Sequence, residues 1–239
     1  PPKAQGRSKY LDDIKLQDML YCKVLRSPYP HAKILNIDTS RAKSHPGVKA
    51  VISGYDIPPV KWGNTHQGFD QYTLAIDKVR YMGDHVAAVA AIDEETAEEA
   101  LDLIKVEYEP LSAVFDPLES MKPGAPLIHE DRPGNIANHI LKSFGDVGRG
   151  FKECDLIRED TYSTVPNNHA PMEPHGDIAL WNSDGSLTMW ATCQSPFMLR
   201  RGLSSPLGLA EDKVRIIRSE VGGGFGGKVE TFPFQLISA

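Results

Sequence analysis

Val86-Ala-Ala-Val-Ala-Ala-Ile92 runs directly into Asp93-Glu-Glu-Thr-Ala-Glu-Glu-Ala-Leu-Asp-Leu-Ile-Lys105 and then into Val106-Glu-Tyr-Glu-Pro110. The first run is continuously apolar, so it reads as a strand covered on both faces. The second opens on Asp93, a natural N-cap. It carries acidic residues in its first turn and sets Ala97, Ala100, Leu101 and Ile104 on one face, the pattern of an amphipathic helix whose acidic run is a solvated face. The third is a short strand. This strand–helix–strand unit sets the class of the surrounding residues as α+β.

Upstream, 1–16 reads as a leading arm with a turn at Lys9–Asp13. Leu20–Leu25 and Ala32–Asp38 are predicted strands, separated by Ser27-Pro-Tyr-Pro-His31, because two prolines cannot sit in a central strand. Thr39–Ser44 is a short helix ended by Pro46-Gly47, and Val48–Ser53 is the next strand. The loop 60–72 is expected to help shape a binding pocket, and Val79–Tyr81 is a further strand before a turn at Gly83-Asp84. Downstream, the prolines and glycines of 112–150 mark an extended linker, with a boundary near 115–140. Ile157–Val165, Gly176–Trp181 and Ser186–Ala191 read as strands, the last two joined by a hairpin turn at Asn182-Ser-Asp-Gly185. Ser195–Leu207 is helical up to Pro206, and Val214–Ile217 is a strand.

That last strand delivers Val221-Gly222-Gly223-Gly224-Phe225-Gly226-Gly227-Lys228, five glycines around one aromatic. Glycine lets a ligand approach the main chain, and successive free N–H groups make a concavity for electron-rich atoms. The loop therefore reads as a cofactor cradle, with a tight turn or flexible connector as the plain alternative. Neither familiar phosphate motif fits. The dinucleotide fingerprint needs a helix and an acidic residue about 20 positions on, which falls beyond residue 239. A P-loop needs a hydroxyl residue after its lysine, and Val229 follows Lys228.

Two further stretches carry candidate chemistry. Asn168-His-Ala-Pro-Met-Glu-Pro-His175 packs two histidines and Glu173 into one turn. The spacing matches no common zinc site, and a packed corner of mutually bonded residues is the favoured reading. Thr192-Cys-Gln-Ser-Pro196 ends a predicted strand. Gln194 there has one acceptor and two donors to offer an oxo or amide group, or else simply caps the strand. Cys193 reads as a small buried apolar residue.

The bulk numbers narrow the class. The 239 residues suffice for one large or two ordinary domains, and the net charge of −6 with no basic run argues against a nucleic-acid surface. The three cysteines are widely spaced, which argues against a zinc or iron–sulfur site within this chain and suits a reducing compartment. No apolar run reaches the roughly 18 residues of a membrane span, and no signal-peptide pattern is present. The chain reads as soluble and cytoplasmic, with no membrane or nucleic-acid partner.

Taken together, these stretches resemble a known family. Leu25-Arg-Ser-Pro-Tyr-Pro-His-Ala-Lys-Ile34, Pro46–Val51, Val79–Val89, Ala97–Ala100 and Ile104–Leu111 are similar to the hammerhead domain of the xanthine dehydrogenase and aldehyde oxidase family. His169–Pro174, Thr192–Pro196 and Gly222–Lys228 resemble the opening of that family's molybdenum-cofactor domain. The resemblance covers nearly all of the chain, in family order. Within the family it resembles 4-hydroxybenzoyl-CoA reductase and related bacterial hydroxylases.

The resemblance implies a hammerhead α/β domain over 1–115, an extended linker over 116–145, and the first part of a mixed α+β molybdopterin-binding domain over 146–239. It implies a molybdenum hydroxylase whose metal is held by a pterin dithiolene and by no protein ligand. The pterin would be in its cytosine dinucleotide form, with Fe–S clusters and FAD on partner chains. By the same resemblance, Gln194 would face the metal's apical oxygen. Gly223, Gly224, Phe225 and Gly226 would line the cofactor, and Phe225 and Glu230 the substrate pocket. In purine-oxidising relatives a Glu follows Gly-Gly-Lys directly; here Val229 does and Glu230 comes one later, which argues against a purine substrate. The family's catalytic base is a glutamate expected outside these residues, in the remaining part of the molybdenum subunit, so no turnover is expected from 1–239 alone. A module that only docks partner subunits is the competing reading.

Overall fold

The computed structural model describes residues 1–64 and 69–239; Thr65–Gly68, inside the loop 60–72, lie outside the described residues. The first half holds strands β1 (Tyr21–Arg26), β2 (Ala32–Asp38), β3 (Val48–Ser53), β4 (Lys78–Val79), β5 (His85–Ala91) and β6 (Lys105–Pro110), with helices α1 (Ser40–Lys43) and α2 (Glu94–Asp102). They form two three-stranded antiparallel sheets, ordered β1-β5-β3 and β4-β2-β6.

β5 lies between the two cores. Ala87 and Val89 pack with Val51, Ala100 and Ile104, while Val86 packs with Ala32, Ile34, Ala75 and Val79. A strand buried on both faces must be apolar at successive positions, which is why its sequence shows no alternation. Small Ala97 and Ala100 bring α2 down on β1 and β5. The Asp93 carboxylate accepts the Thr96 amide at 2.7 Å, capping the helix. Of the expected strand Val79–Tyr81 only Lys78–Val79 forms. The Arg80 amide donates instead to the Asp84 carboxylate at 3.0 Å, turning the chain toward Gly83.

Residues 116–136 carry α3 (Pro117–Ser120), capped by Asp116, and a turn in which the Asn135 amide bonds Ile128, Ser120 and Pro126. Buried Lys78 binds Glu130, whose carboxyl this hydrogen bond holds down at about 2. Beyond it, α4 (Val147–Glu153) forms on an Asp146 cap, a helix the sequence reading missed because only seven residues carry it. The expected strand Ile157–Val165 does not form. This stretch is exposed, with Tyr162 at 84% and Val165 at 82%. Its residue types favour a strand, but no described strand pairs with it, and a strand exists only when a neighbour satisfies its N–H and C=O groups.

The second half is built on β7 (Asp177–Trp181), β8 (Leu187–Ala191) and β9 (Val214–Arg218), in the order β7-β8-β9, with α5 (Pro196–Ser204) and α6 (Pro233–Ser238). β7 and β8 are the expected hairpin, turning at Gly185 with φ of +75°. β9 is parallel to β8, with Ala191 opposite Arg218. A parallel neighbour needs a crossover, and α5 supplies it, its Leu199 and Leu203 fully buried with Leu187 and Met189. The sequence reading also missed α6, which packs on β7; the Ser238 hydroxyl donates to the Asp177 carboxylate.

Burial raises the Asp177 carboxyl to about 7, with the Ser238 bond opposing the shift. Its stabilising share is complete below the unfolded value of about 3.9 and is lost as pH rises through about 7. Asp177→Asn, whose amide oxygen still accepts from Ser238, is therefore expected to unfold at a higher midpoint than the parent at pH 8 and at the same midpoint at pH 3.5. A parallel pair of denaturation curves across that range would refute this.

Candidate cofactor site

Because β8 and β9 are parallel neighbours, the segments leaving their carboxyl ends emerge side by side. Gln194 follows β8, and the glycine loop follows β9. The Gln194 side-chain oxygen accepts two loop amides, Gly226 N–H and Lys228 N–H, each at 3.1 Å, and the Gln194 backbone N–H donates to Lys228 O at 2.7 Å. With its oxygen saturated, the side chain is left with an NH2 group that has no acceptor among the described residues.

The loop itself is a tight turn. Gly227 N–H donates to Gly224 O at 2.7 Å, around Phe225 and Gly226, whose φ values are +51° and +89°. An aromatic residue held in the left-handed region costs on the order of 1–2 kcal/mol, and the Phe225 ring stays 74% exposed. A Cβ on Gly224 would lie 2.6 Å from Gln194 Oε1, so only glycine lets the amide seat there. The amides of Gly223, Gly224 and Phe225 bond to no acceptor among the described residues. Three successive loop amides and the Gln194 side-chain NH2 are thus donors available to an electron-rich group.

The turn 168–175 holds the loop: the packed-corner reading expected its residues to bond one another, and Glu173 and His175 instead bond the glycine loop. Lys228 is 1% exposed; its ammonium donates to Glu173 O at 2.8 Å and to Glu173 Oε2 at 2.9 Å. Glu173 Oε2 also accepts Gly222 N–H at 2.8 Å, so one carboxylate ties both ends of the loop. His175 Nε2–H donates to Gly227 O at 2.7 Å. His169 packs against Gly227 and Pro171 against Gly223. Among the described residues no three His, Cys, Asp or Glu side chains converge on one point. Cys193 is buried, which pushes its thiol up and away from thiolate character. Glu230 lies just past the loop, its carboxylate accepting from Asn64 at 3.2 Å.

The structure thus brings Gln194, Gly224, Phe225 and Gly226 together and puts Gly223 on the same turn. The sequence reading missed Lys228 as a structural cation and Glu173 as its partner. The available signal was a lysine closing a glycine run, with one carboxylate in a proline-rich turn.

Family models place the same two halves. Residues 5–112 match the aldehyde oxidase and xanthine dehydrogenase a/b hammerhead domain, and residues 128–239 match the molybdopterin cofactor-binding domain. The chain belongs to the aldehyde oxidase and xanthine dehydrogenase family. It is 38% identical to the nicotinate dehydrogenase large molybdopterin subunit of Eubacterium barkeri, over 95% of this chain and 53% of that one. It is 36% identical to the carbon monoxide dehydrogenase large chain of Hydrogenophaga pseudoflava, over 96% of this chain and 30% of that one. The solved structure of reconstituted CO dehydrogenase from Oligotropha carboxidovorans superposes with a TM-score of 0.87 at 32% identity, over 99% of this chain and 32% of that one. This member of the family therefore spans about a third to a half of the length of these relatives. Among its described residues no helix is long and apolar enough to cross a membrane.

Proposed function

We propose that this chain supplies the hammerhead domain (1–115), the linker (116–145) and the first part of the cofactor domain (146–239) of the large subunit of a molybdenum hydroxylase. The observation that carries the reading is the cradle itself: a Gln194 NH2 group and three free loop amides at the carboxyl ends of two parallel strands. The bound molybdenum–pterin group, probed for below in its cytosine dinucleotide form, supplies the redox chemistry that transfers oxygen between water and an aromatic, N-heteroaromatic or aldehyde carbon.

The protein's own residues bind and orient. The Gln194 NH2 and the amides of Gly223, Gly224 and Phe225 would hold the molybdenum–pterin group by donating to its electron-rich atoms. The exposed Phe225 ring offers a face to a planar substrate, and Glu230 stands at the pocket's edge. Gln194 is fixed by the loop amides it accepts, which lowers the cost of organising the site. Fe–S and FAD subunits complete the electron path, and the three free cysteines suit a cytoplasmic location.

The test is metal and pterin analysis of the native assembly containing this chain. About one molybdenum and one pterin cytosine dinucleotide per copy are expected, and an assembly free of molybdenum would defeat the reading.

A further inference from the structure

The glycine loop is gripped from a direction that the cofactor domain does not supply. Trp62, in the hammerhead half, is 3% exposed and belongs to the core of the other half, packed with Leu187, Met189, Leu199, Leu203 and Leu236. Its backbone pairs with Gln71 in both directions, at 2.9 and 3.1 Å, fixing the base of the loop that carries Asn64. The Asn64 side chain then imitates a strand partner. Its oxygen accepts Thr231 N–H at 2.8 Å, and its NH2 donates to Thr231 O and to the Glu230 carboxylate, both at 3.2 Å. Thr231 is buried, and its hydroxyl sits 2.0 Å from where a Cβ on Gly202 of α5 would be. The segment leaving the glycine loop is thus clamped between α5 and a residue of the first domain, three positions after Lys228.

We infer that Asn64 is a positioning residue for the cofactor cradle. It fixes the outgoing limb of the glycine loop, and with it the direction of the Glu230 carboxylate, so the hammerhead half is a working part of the site. The inference rests on the proposed reading for its catalytic consequence, though not for its structural one. Asn64 touches neither Gln194 nor the loop amides that face the ligand; it acts through Thr231. Gln194 and Glu173 hold the incoming and central parts of the loop without it.

The test is hydrogen exchange and kinetics on the native assembly. In Asn64→Ala, the Thr231 and Phe232 amides of the outgoing limb should exchange at least about tenfold faster while the Gly222 amide and the β5 amides stay within about twofold. Turnover should fall on the order of tenfold with KM within about twofold, the mark of a misplaced group that binds no substrate. Asn64→Asp keeps an acceptor for the Thr231 amide but sets a second carboxylate against Glu230. It should loosen the same amides, and adding Glu230→Gln should return them to within about threefold of the parent, a coupling that a merely structural staple does not give. Unchanged exchange at Thr231 and Phe232, equal acceleration at Gly222 and β5, or no rescue by the second substitution would each overturn the inference. If the parent assembly holds no molybdenum, the proposed function fails while the exchange results still decide the role of Asn64.

Discussion

Glu173→Ala is expected to destabilise the protein by about 3–5 kcal/mol, the usual cost of leaving a buried charge without its partner. The denaturation midpoint should then drop on the order of 10 °C for a chain of this size. The substitution strands the Lys228 ammonium, which is fully shielded from solvent and whose hydrogen-bond partners among the described residues are all groups of Glu173. It also orphans the Gly222 amide. The companion result separates charge from packing. Glu173→Ala combined with Lys228→Met should recover most of the lost stability, because apolar atoms then fill the space and no buried charge remains. A drop of less than about 3 °C for Glu173→Ala would show that water reaches Lys228 and that the pair is not what ties the loop.

The largest effect on activity is expected from one methyl group. Gly224 does not require a positive φ, so its backbone accepts alanine, but the new Cβ would lie 2.6 Å from Gln194 Oε1 and 2.7 Å from Gln194 Cδ. The amide must move, and with it its NH2 group and the two loop amides that Gln194 holds. A displacement near 1 Å in a positioning group costs about 10²-fold in rate. On the proposed function, Gly224→Ala in the native assembly should therefore lose about 10²-fold in turnover, with a modest change in unfolding midpoint. Adding Gln194→Ala should relieve the clash without restoring turnover. Turnover within twofold of the parent for Gly224→Ala would remove Gln194 from the proposed site.

Much of the architecture is legible from local patterns. The capped acidic helix after an apolar strand, the Asn182–Gly185 hairpin and the proline-marked break at Ser27–His31 all form where their residue types place them. In each, the stabilising contacts lie within a few residues of the signal. The failures are of another kind. Ile157–Val165 has the composition of a strand and no neighbour to pair with among the described residues. α6 follows a proline and stands on contacts with β7, more than fifty positions away. Lys228 looks like a surface lysine in the sequence and is among the most deeply buried side chains of the fold.

By itself the sequence determined the α+β class, the glycine turn and the glutamine at a strand end, because period, capping and the absence of side chains act locally. Only the tertiary structure decided that these become one site. β9 returns parallel to β8 through α5, so two segments thirty residues apart leave the same edge of the sheet. Glu173 from a third segment and Asn64 from the other domain then close around the loop. Whether two strands run parallel or antiparallel is set by how the crossover buries its apolar face, a cooperative property of the whole core that no single stretch encodes.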